Sequence, residues 1–380
     1  MKTTADVVII GAGAIGTSTA YHLAKAGIKD VILLEMDQVG SGSSSKSASM
    51  LSLQFGSNEI NARMAKYSYG RFMQFEDEFG TTIDFKKSGW ITIAPETEVS
   101  RLKAHAKTLN DLDITSQLMD PFEIKNIYPE LNVDDIALGI WGPDDGPFDP
   151  HMILWGYTKR AVELGVQLYE GVRATNIRVK QDLVVGVSTT QGEINTNCVV
   201  NAAGPWAIDI GRWIGVEIPI RNAARCVLVT APISEIPPHR PFVEEISPEW
   251  YFRPEGEGIL IGMGEVPTKN LQLQIHEKLQ GEMILRAIHR VPVLEKAAVQ
   301  TAWTGIRPLS PDNLPIFGTM PEINGFLLNC GWGGMGIIQS PIAGQLMAEL
   351  VSTGRCTTED IQPFSIRRFD HVYDGHSSST

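Results

Sequence analysis

The chain opens on four consecutive apolar residues, Val7-Val8-Ile9-Ile10. An unbroken apolar run predicts a strand covered on both faces, since a half-exposed strand would alternate. Glycines follow at once, Gly11-Ala12-Gly13-Ala14-Ile15-Gly16, then a helical pattern over residues 17–26 that Gly27 closes. A second apolar run over residues 31–34 ends in Glu35. Strand, glycine turn, helix, strand is a βαβ unit. Apolar or aromatic positions at 64, 67, 72, 75 and 79 predict one helix over residues 61–79.

The middle of the chain changes texture. A strand is predicted at residues 90–93 and an amphipathic helix near 97–110. Gly146-Pro147-Phe148-Asp149-Pro150 introduces a helix over residues 151–164, and strands follow at 166–169, 171–177, 183–189 and 193–200. From residue 226 to about 303, strand-like runs at 227–229, 250–252 and 259–261 alternate with Pro- and Gly-rich turns. A long helix near 268–290 stops before Pro292. This pattern predicts an antiparallel sheet with helices. The fold class is therefore α/β, or α+β overall. Residues 86–138 and 226–302 form one lobe inserted into the fold that the opening βαβ unit begins, which takes residues 1–85, 139–225 and 303–380.

The glycine turn carries the clearest chemistry. Gly11 allows a tight turn, Gly13 lets the backbone approach a pyrophosphate, and Gly16 lets helix and strand pack closely. The helix start offers free N–H groups and a positive dipole end to phosphate. Glu35, 19 residues after Gly16, suits the hydroxyls of an unphosphorylated ribose. The motif alone does not choose between FAD and NAD. Next comes a loop of small residues and hydroxyls, Gly40-Ser41-Gly42-Ser43-Ser44-Ser45-Lys46-Ser47-Ala48-Ser49. It suits either a flexible linker or a segment laid along a long cofactor; its place between Glu35 and a helix favours the second. Asn201-Ala202-Ala203-Gly204-Pro205-Trp206 ends a buried strand in small residues, consistent with tight packing or with cofactor contact. Gly331-Trp332-Gly333-Gly334-Met335-Gly336 before the last helix offers a second anion site.

Composition narrows the classes. Hydrophobic residues are 43% and charged residues 20%, which argues against intrinsic disorder. The net charge of −12 disfavours nucleic-acid binding through a basic field. Four cysteines without CxxC or Cys/His spacing argue against a disulfide scaffold or a metal site. Asp6 and the glycine turn interrupt any signal-peptide core. Residues 323–348 carry no Asp, Glu, Lys or Arg, but six glycines and Pro341 fit a buried loop and helix better than a membrane span. These features point to a soluble, cytoplasmic protein. Glu244 and Glu245 suggest an exposed acidic turn, with attraction of a cationic substrate as the other reading.

The marks VVIIGAGAIG with Glu35, GSGSSSKSAS, GPFDP, VVNAAGPWA, YFRP, GIRPLSPDNLPIFG and GWGGMGIIQSP occur in this order. In that combination the chain resembles the FAD-dependent D-amino acid oxidase superfamily, in the branch of glycine and sarcosine oxidases, D-amino acid dehydrogenase and the flavoprotein subunits of proline and opine dehydrogenases. The resemblance implies a Rossmann-like FAD domain and a substrate domain with a large antiparallel sheet. It implies that Gly11, Ala12, Gly13, Ile15 and Gly16 line the FAD pyrophosphate and that Glu35 and Met36 meet the adenosine ribose. Ser43, Ser44, Lys46 and Ser47 would run along the cofactor, and Val172 or Arg173 would meet the adenine. Ala202, Ala203, Gly204 and Trp206 match a second fingerprint. Gly333, Gly334, Met335, Gly336 and Ile337 match the loop at the flavin's pyrimidine edge. Arg307 falls on the arginine that pairs with the substrate carboxylate in several members, its other reading being a structural ion pair. Tyr251 matches a substrate-facing position, its other reading being a core aromatic.

The resemblance further implies oxidation of a C–N bond in a small amino acid or amine, by hydride transfer to the flavin, with the imine hydrolysing in water. Oxygen or another acceptor would take the electrons, and partner subunits are expected in part of this branch. No cysteine stands in Trp303-Thr304-Gly305-Ile306, where monomeric sarcosine oxidases attach their flavin, so non-covalent FAD is expected. Met50-Leu51 departs from the glycines of proline dehydrogenase relatives, and oxidase and dehydrogenase both stay open. His105, His151, His276 and His289 lie on predicted helices and suit surface or capping roles. The rivals are a flavin-dependent 2-hydroxy-acid or glycerol-3-phosphate dehydrogenase, which calls for a positioned histidine base, and a flavoprotein subunit of a larger dehydrogenase complex, acting mainly in assembly or electron transfer.

Overall fold

The strand Val7–Ile10 is buried at all of its residues because separate cores lie on its two faces. Val7 and Ile9 join Val31, Leu33 and Val200 in one core, closed by the helices Ala14–Lys25, Pro150–Glu163 and Ser340–Thr353. Val8 and Ile10 join Ile32, Leu34 and Val199 in the other, beneath a small antiparallel sheet of Ala174–Lys180, Leu183–Thr189 and Gly192–Asn195. The unbroken apolar runs thus follow from burial on both sides. The protein is described by a computed structural model over residues 1–54, 58–247, 249–268, 271 and 277–370.

This first sheet has six strands in the order Ile316–Thr319, Phe326–Cys330, Val199–Asn201, Val7–Ile10, Val31–Leu34, Gln167–Tyr169. All neighbours are parallel except the first pair. The second sheet has eight strands: Val299–Leu309, Arg221–Thr230, Gly258–Pro267, Glu249–Glu255, Phe242–Ile246, Trp90–Ala94, Leu138–Gly142 and Gln117–Met119. Its neighbours are antiparallel except Phe242–Ile246 beside Trp90–Ala94. At that parallel pair the two chain segments of the sheet meet. One face packs against the helices Pro121–Ile127 and Glu277–Arg290 through Ile91, Ile93, Ile124, Cys226, Leu228, Trp250, Phe252 and Met283.

Several elements differ from the sequence pattern. Strands Arg221–Thr230 and Val299–Leu309 run unbroken through positions 225/226 and 302/303, where the pattern divides the lobes. Strand pairing, which composition does not report, holds them together. The helix expected over residues 61–79 is two, Glu59–Met73 and Phe75–Phe79, parted at Gln74. The run 193–200 is also two strands, Gly192–Asn195 and Val199–Asn201, in different sheets. The uncharged stretch 323–348 holds a strand, Phe326–Cys330, as well as a loop and the start of the last helix. The helix near 268–290 is described from Glu277 onward, and His276 lies outside the described residues. Among the described residues no helix is long and apolar enough to cross a membrane.

Gly16 is where helix and strand come closest. A Cβ built there would lie 1.8 Å from the Gly11 carbonyl oxygen, a backbone atom that cannot swing aside. Gly70, in the exposed middle of Glu59–Met73, would meet nothing within 4 Å. Gly16→Ala should therefore destabilise the fold by about 1–3 kcal/mol or more. Gly70→Ala should stabilise it by about 0.5–1 kcal/mol, by removing backbone freedom from the unfolded chain. Denaturant melts of both variants check the contrast, and equal midpoints would remove the close-approach account of Gly16.

Candidate active site

The glycine turn builds one end of a cavity of about 320 Å³. Gly11 takes a positive φ of 102°, which turns the chain off the strand and under the helix. Gly13 caps the helix in extended conformation with no side-chain partner. The first turn of a helix leaves N–H groups without intrahelical acceptors; one, at Ala14, donates to Ser44 Oγ at 3.1 Å. Glu35, buried at the end of the second strand, accepts from the Ala12 N–H (2.9 Å) and the Asp37 N–H (3.0 Å). The Glu35 carbonyl accepts from Val172 and that of Asp37 from Gly171, which draws residues 171–173 to the same wall. On the other flank Ala202 N–H donates to the Ile10 carbonyl, bringing Ala202, Ala203 and Gly204 alongside the turn.

The hydroxyl-rich loop bridges the two sheets. Ser44 meets the helix start, while Ser43 Oγ donates to the Ile306 carbonyl at 2.6 Å and Trp303 Nε1 donates to the Lys46 carbonyl at 3.2 Å. Arg253 Nε donates to the Ala48 carbonyl at 3.0 Å. Lys46 folds back so that Nζ donates to the carbonyls of Ser41 (2.6 Å) and Gly42 (3.0 Å). Its charge therefore serves the loop itself.

The far end of the cavity is the second face of the eight-stranded sheet. Met50, Trp90, Val227, Phe242 and Tyr251 form its apolar wall. Trp90 and Phe242 lie 3.8 Å apart between ring centroids, and Phe242 stacks on Tyr251 at 5.3 Å. The Tyr251 ring lies over Gly262, where a Cβ would fall 2.2 Å from the phenol oxygen. Arg225 packs on the Tyr251 ring, Cζ 4.9 Å from its centroid. Its Nη1 pairs with Glu249 at 2.7 Å, yet Nε and Nη2 are buried without a partner, and the residue is only 4% exposed. Arg307, two residues from Arg225's neighbour Gly305 on the adjacent strand, pairs through Nη1 with Glu265 (3.1 Å) and Glu249 (3.4 Å). It lies against Gly334, where a Cβ would sit 2.7 Å from Nη2. Burial works to raise the Glu249 carboxyl, but Arg225 and Arg307 outweigh it and hold it below its usual range. Glu244, opposite Tyr251 in the register, is pushed up to about 7 by burial and by Glu249, against the pull of Arg225, Arg307 and Arg101.

The candidate residues gather at this one cavity. Gly11, Gly13, Ile15, Glu35, Met36, Ser43, Ser44, Lys46, Ser47, Val172, Arg173, Ala202, Ala203, Gly204, Trp206, Gly333, Gly334, Gly336, Ile337, Tyr251 and Arg307 all line it. Ala12, Gly16 and Met335 do not. Ala12 is covered and supports Glu35, Gly16 sits behind Gly11, and Met335 is packed into the core. Glu244 and Glu245 form no exposed turn, because both lie on the strand Phe242–Ile246. Glu245 points into the helical core and pairs with Arg286 (2.6 Å) and Arg290 (2.6 Å), whereas Glu244 faces the cavity. Arg225, Glu244, Trp90 and Phe242 were not singled out by motif. The available signal was a charge inside an otherwise apolar alternating strand.

Among the described residues no histidine lines the cavity. His105 bonds to the Gln54 carbonyl, His289 meets Asp135, and His151 begins a helix at the surface.

A family model described as DAO, FAD dependent oxidoreductase, matches residues 6–350. The mouse (Mus musculus) protein named sarcosine dehydrogenase, mitochondrial, is 32% identical over 99% of this chain. The chain spans 42% of that relative's length. The crystal structure of L-proline dehydrogenase from P. horikoshii superposes with a TM-score of 0.90 and 27% identity, covering 98% of this chain and 99% of that one. Glycine oxidase from Geobacillus kaustophilus superposes with a TM-score of 0.84 and 28% identity, covering 96% and 99%.

Glu35 can be tested directly. A charged acceptor for a hydroxyl contributes about 1.5–3 kcal/mol, so Glu35→Ala should weaken FAD retention roughly ten- to a hundredfold. The Ala12 and Asp37 N–H groups also lose their acceptor, and that should show as a small loss of stability. Flavin occupancy after extensive dialysis, beside a melt, measures both; full occupancy would take Glu35 out of the site.

Proposed function

The chain belongs to the family of FAD dependent oxidoreductases, and from that premise we propose that it oxidises the C–N bond of an α-amino acid or N-substituted amino acid. The observation that carries this reading is Arg307. A planar guanidinium stands on the wall of the same cavity that begins at the glycine turn, and such a fork suits a carboxylate. Sarcosine, proline and glycine, the compounds in the relatives' names, each carry a carboxylate one carbon from the amine.

The residues fit a dinucleotide. A Cβ at Gly11 or Gly16 would strike the backbone that shapes the cradle, the Ala202 and Gly11 carbonyl oxygens respectively. A helix start faces one end and the Glu35 carboxylate lies at the second strand. Bound FAD supplies the two-electron acceptor. The chain's own residues do the rest. Arg307 orients the carboxylate and so sets where the α-carbon lies. Trp90, Phe242, Tyr251 and Met50 give the substrate an apolar wall and keep water from it. Among the described residues no histidine, the base expected for the hydroxy-acid alternative, lines the cavity.

FAD is held non-covalently in this reading. Cys330 reaches the cavity wall, but burial pushes its thiol up to about 12, so the nucleophilic thiolate is scarce. Acid precipitation should therefore release all flavin into the supernatant. Flavin left on the pellet would contradict it.

Arg307→Ala leaves the substrate carboxylate unpaired and also takes from Glu265 its nearest cation, leaving Arg221 and Arg225 at longer range. Removing one partner of a buried pair costs about 3–5 kcal/mol. Anaerobic flavin reduction should fall by roughly a hundredfold or more, in both saturation and limiting rate. Arg307→Lys should recover part of it, since a point charge does not reproduce the fork. Near-normal reduction by amino acids in an alanine variant that keeps its flavin spectrum would remove the carboxylate clamp.

A further inference from the structure

One acid on the cavity wall has no assigned task. Glu244 sits on Phe242–Ile246, flanked in register by Tyr251 on one side and Thr92 on the other. Among the described residues no hydrogen bond or ion pair reaches its carboxylate, although Arg225 nearby keeps two buried N–H groups without partners. Every other acid beside it is engaged: Glu249 with Arg225 and Arg307, Glu265 with Arg307, Glu245 with Arg286 and Arg290. Glu244 is half-buried on the cavity wall, where an unpaired carboxylate attracts a cationic group of a ligand.

We propose that Glu244 is a further catalytic residue, whose carboxylate takes a proton from the ammonium group of the bound amino acid. The inference rests on the amine-oxidising reading above. An ammonium nitrogen holds no lone pair, so C–H cleavage at the neighbouring carbon has nothing to form a C=N bond with. Transfer of one proton from nitrogen to a carboxylate oxygen leaves a neutral amine and a neutral carboxylic acid. The N–H electron pair stays on nitrogen, and no oxidant enters the step. The proton later leaves Glu244 for water.

The surroundings suit an acceptor working near neutral pH. Burial and Glu249 raise the carboxyl, while Arg225, Arg307 and Arg101 lower it, and the balance falls at about 7. Tyr251 lies opposite it across the strand pair. Burial alone would keep the group protonated, and the arginines alone would leave it too weak a base. A base is most effective near the working pH.

The test is anaerobic flavin reduction by glycine, N-methylglycine and proline between pH 5.5 and 9.5. Wild type, Glu244→Gln and Glu244→Asp are compared for limiting rate and saturation. The wild-type limiting rate should rise with pH through about 7. Glu244→Gln should lose at least roughly a hundredfold at pH 7, the usual share of a general base. Its rate should then climb with pH until the substrate's own amine ionises, converging on wild type at the alkaline end. Glu244→Asp should keep a neutral limb at reduced rate.

A Gln variant that keeps the neutral limb overturns the assignment. So does one whose loss lies wholly in saturation, which would mark Glu244 as an attractor of cations only. Should the Gln variant fail to hold FAD, the Asp variant decides: loss of its neutral limb with FAD retained overturns the proposal. A wild type reduced by no amine overturns the amine reading itself. A reduced wild type with an unaltered Gln profile overturns only the role of Glu244.

Discussion

The close approach of Gly16 to the Gly11 carbonyl bears on where the rest of the site can stand. Because the first helix sits this near the strand end, its N-terminal turn opens onto the cavity. The same approach brings Ala202 beside Gly11, where a Cβ on Gly11 would fall 2.7 Å from the Ala202 carbonyl oxygen. Ser44 reaches the helix start only from that position, and the loop that carries Ser44 then spans to Ile306 and Trp303 on the other sheet. Glycine's conformational cost is accepted at Gly16 because no other residue leaves the space.

The second sheet divides its work between its faces. Residues alternate across a strand with period two, and consecutive Glu244 and Glu245 show what that means chemically. Glu245 meets arginines of the helix Glu277–Arg290 and ties helix to sheet. Glu244, one residue earlier, faces the cavity. On Arg221–Thr230, three strands along the same sheet, Cys226 belongs to the helical core while Arg225 and Val227 line the cavity. Placing charges on a buried face is weak support for stability, since desolvation offsets much of the attraction between partners. Their concentration on one face, beside unpartnered N–H groups, fits a surface arranged for a ligand.

The glycine-turn end was legible in the sequence because its demands are local. Gly11, Gly13, Gly16 and Glu35 lie within one βαβ unit, and their spacing reports the turn and the close packing directly. The hydroxyl loop was legible by position, though the sequence did not show that Lys46 would cap its own loop. The polar end was only half legible. Arg307 stood out through its motif, whereas Arg225 and Glu244 reach one cavity wall only through the pairing of Arg221–Thr230, Gly258–Pro267, Glu249–Glu255 and Phe242–Ile246. A charged residue in an apolar strand has two faces to choose from, and strand register makes the choice. For the same reason the lobe boundaries cut through Arg221–Thr230 and Val299–Leu309. Pairing partners, which lie outside either local pattern, make each a single strand.

Charge balance connects the two ends of the mechanism. Arg225 and Arg307 face Glu249 and Glu265, so those four groups cancel, and Glu244 is the fifth. A zwitterionic amino acid brings no net charge into this desolvated space. Its carboxylate can join the arginines only if its ammonium finds negative charge nearby, because an unpaired ion in such a cavity is strongly disfavoured. With the proton moved to Glu244, as proposed above, the substrate is left anionic beside two arginines and the acid becomes neutral. The net charge of the cavity is the same before and after the transfer. No ion has to cross the apolar wall of Trp90, Phe242 and Tyr251 for the amine to gain its lone pair. That is the physical advantage of an acceptor inside the cavity over one in bulk water.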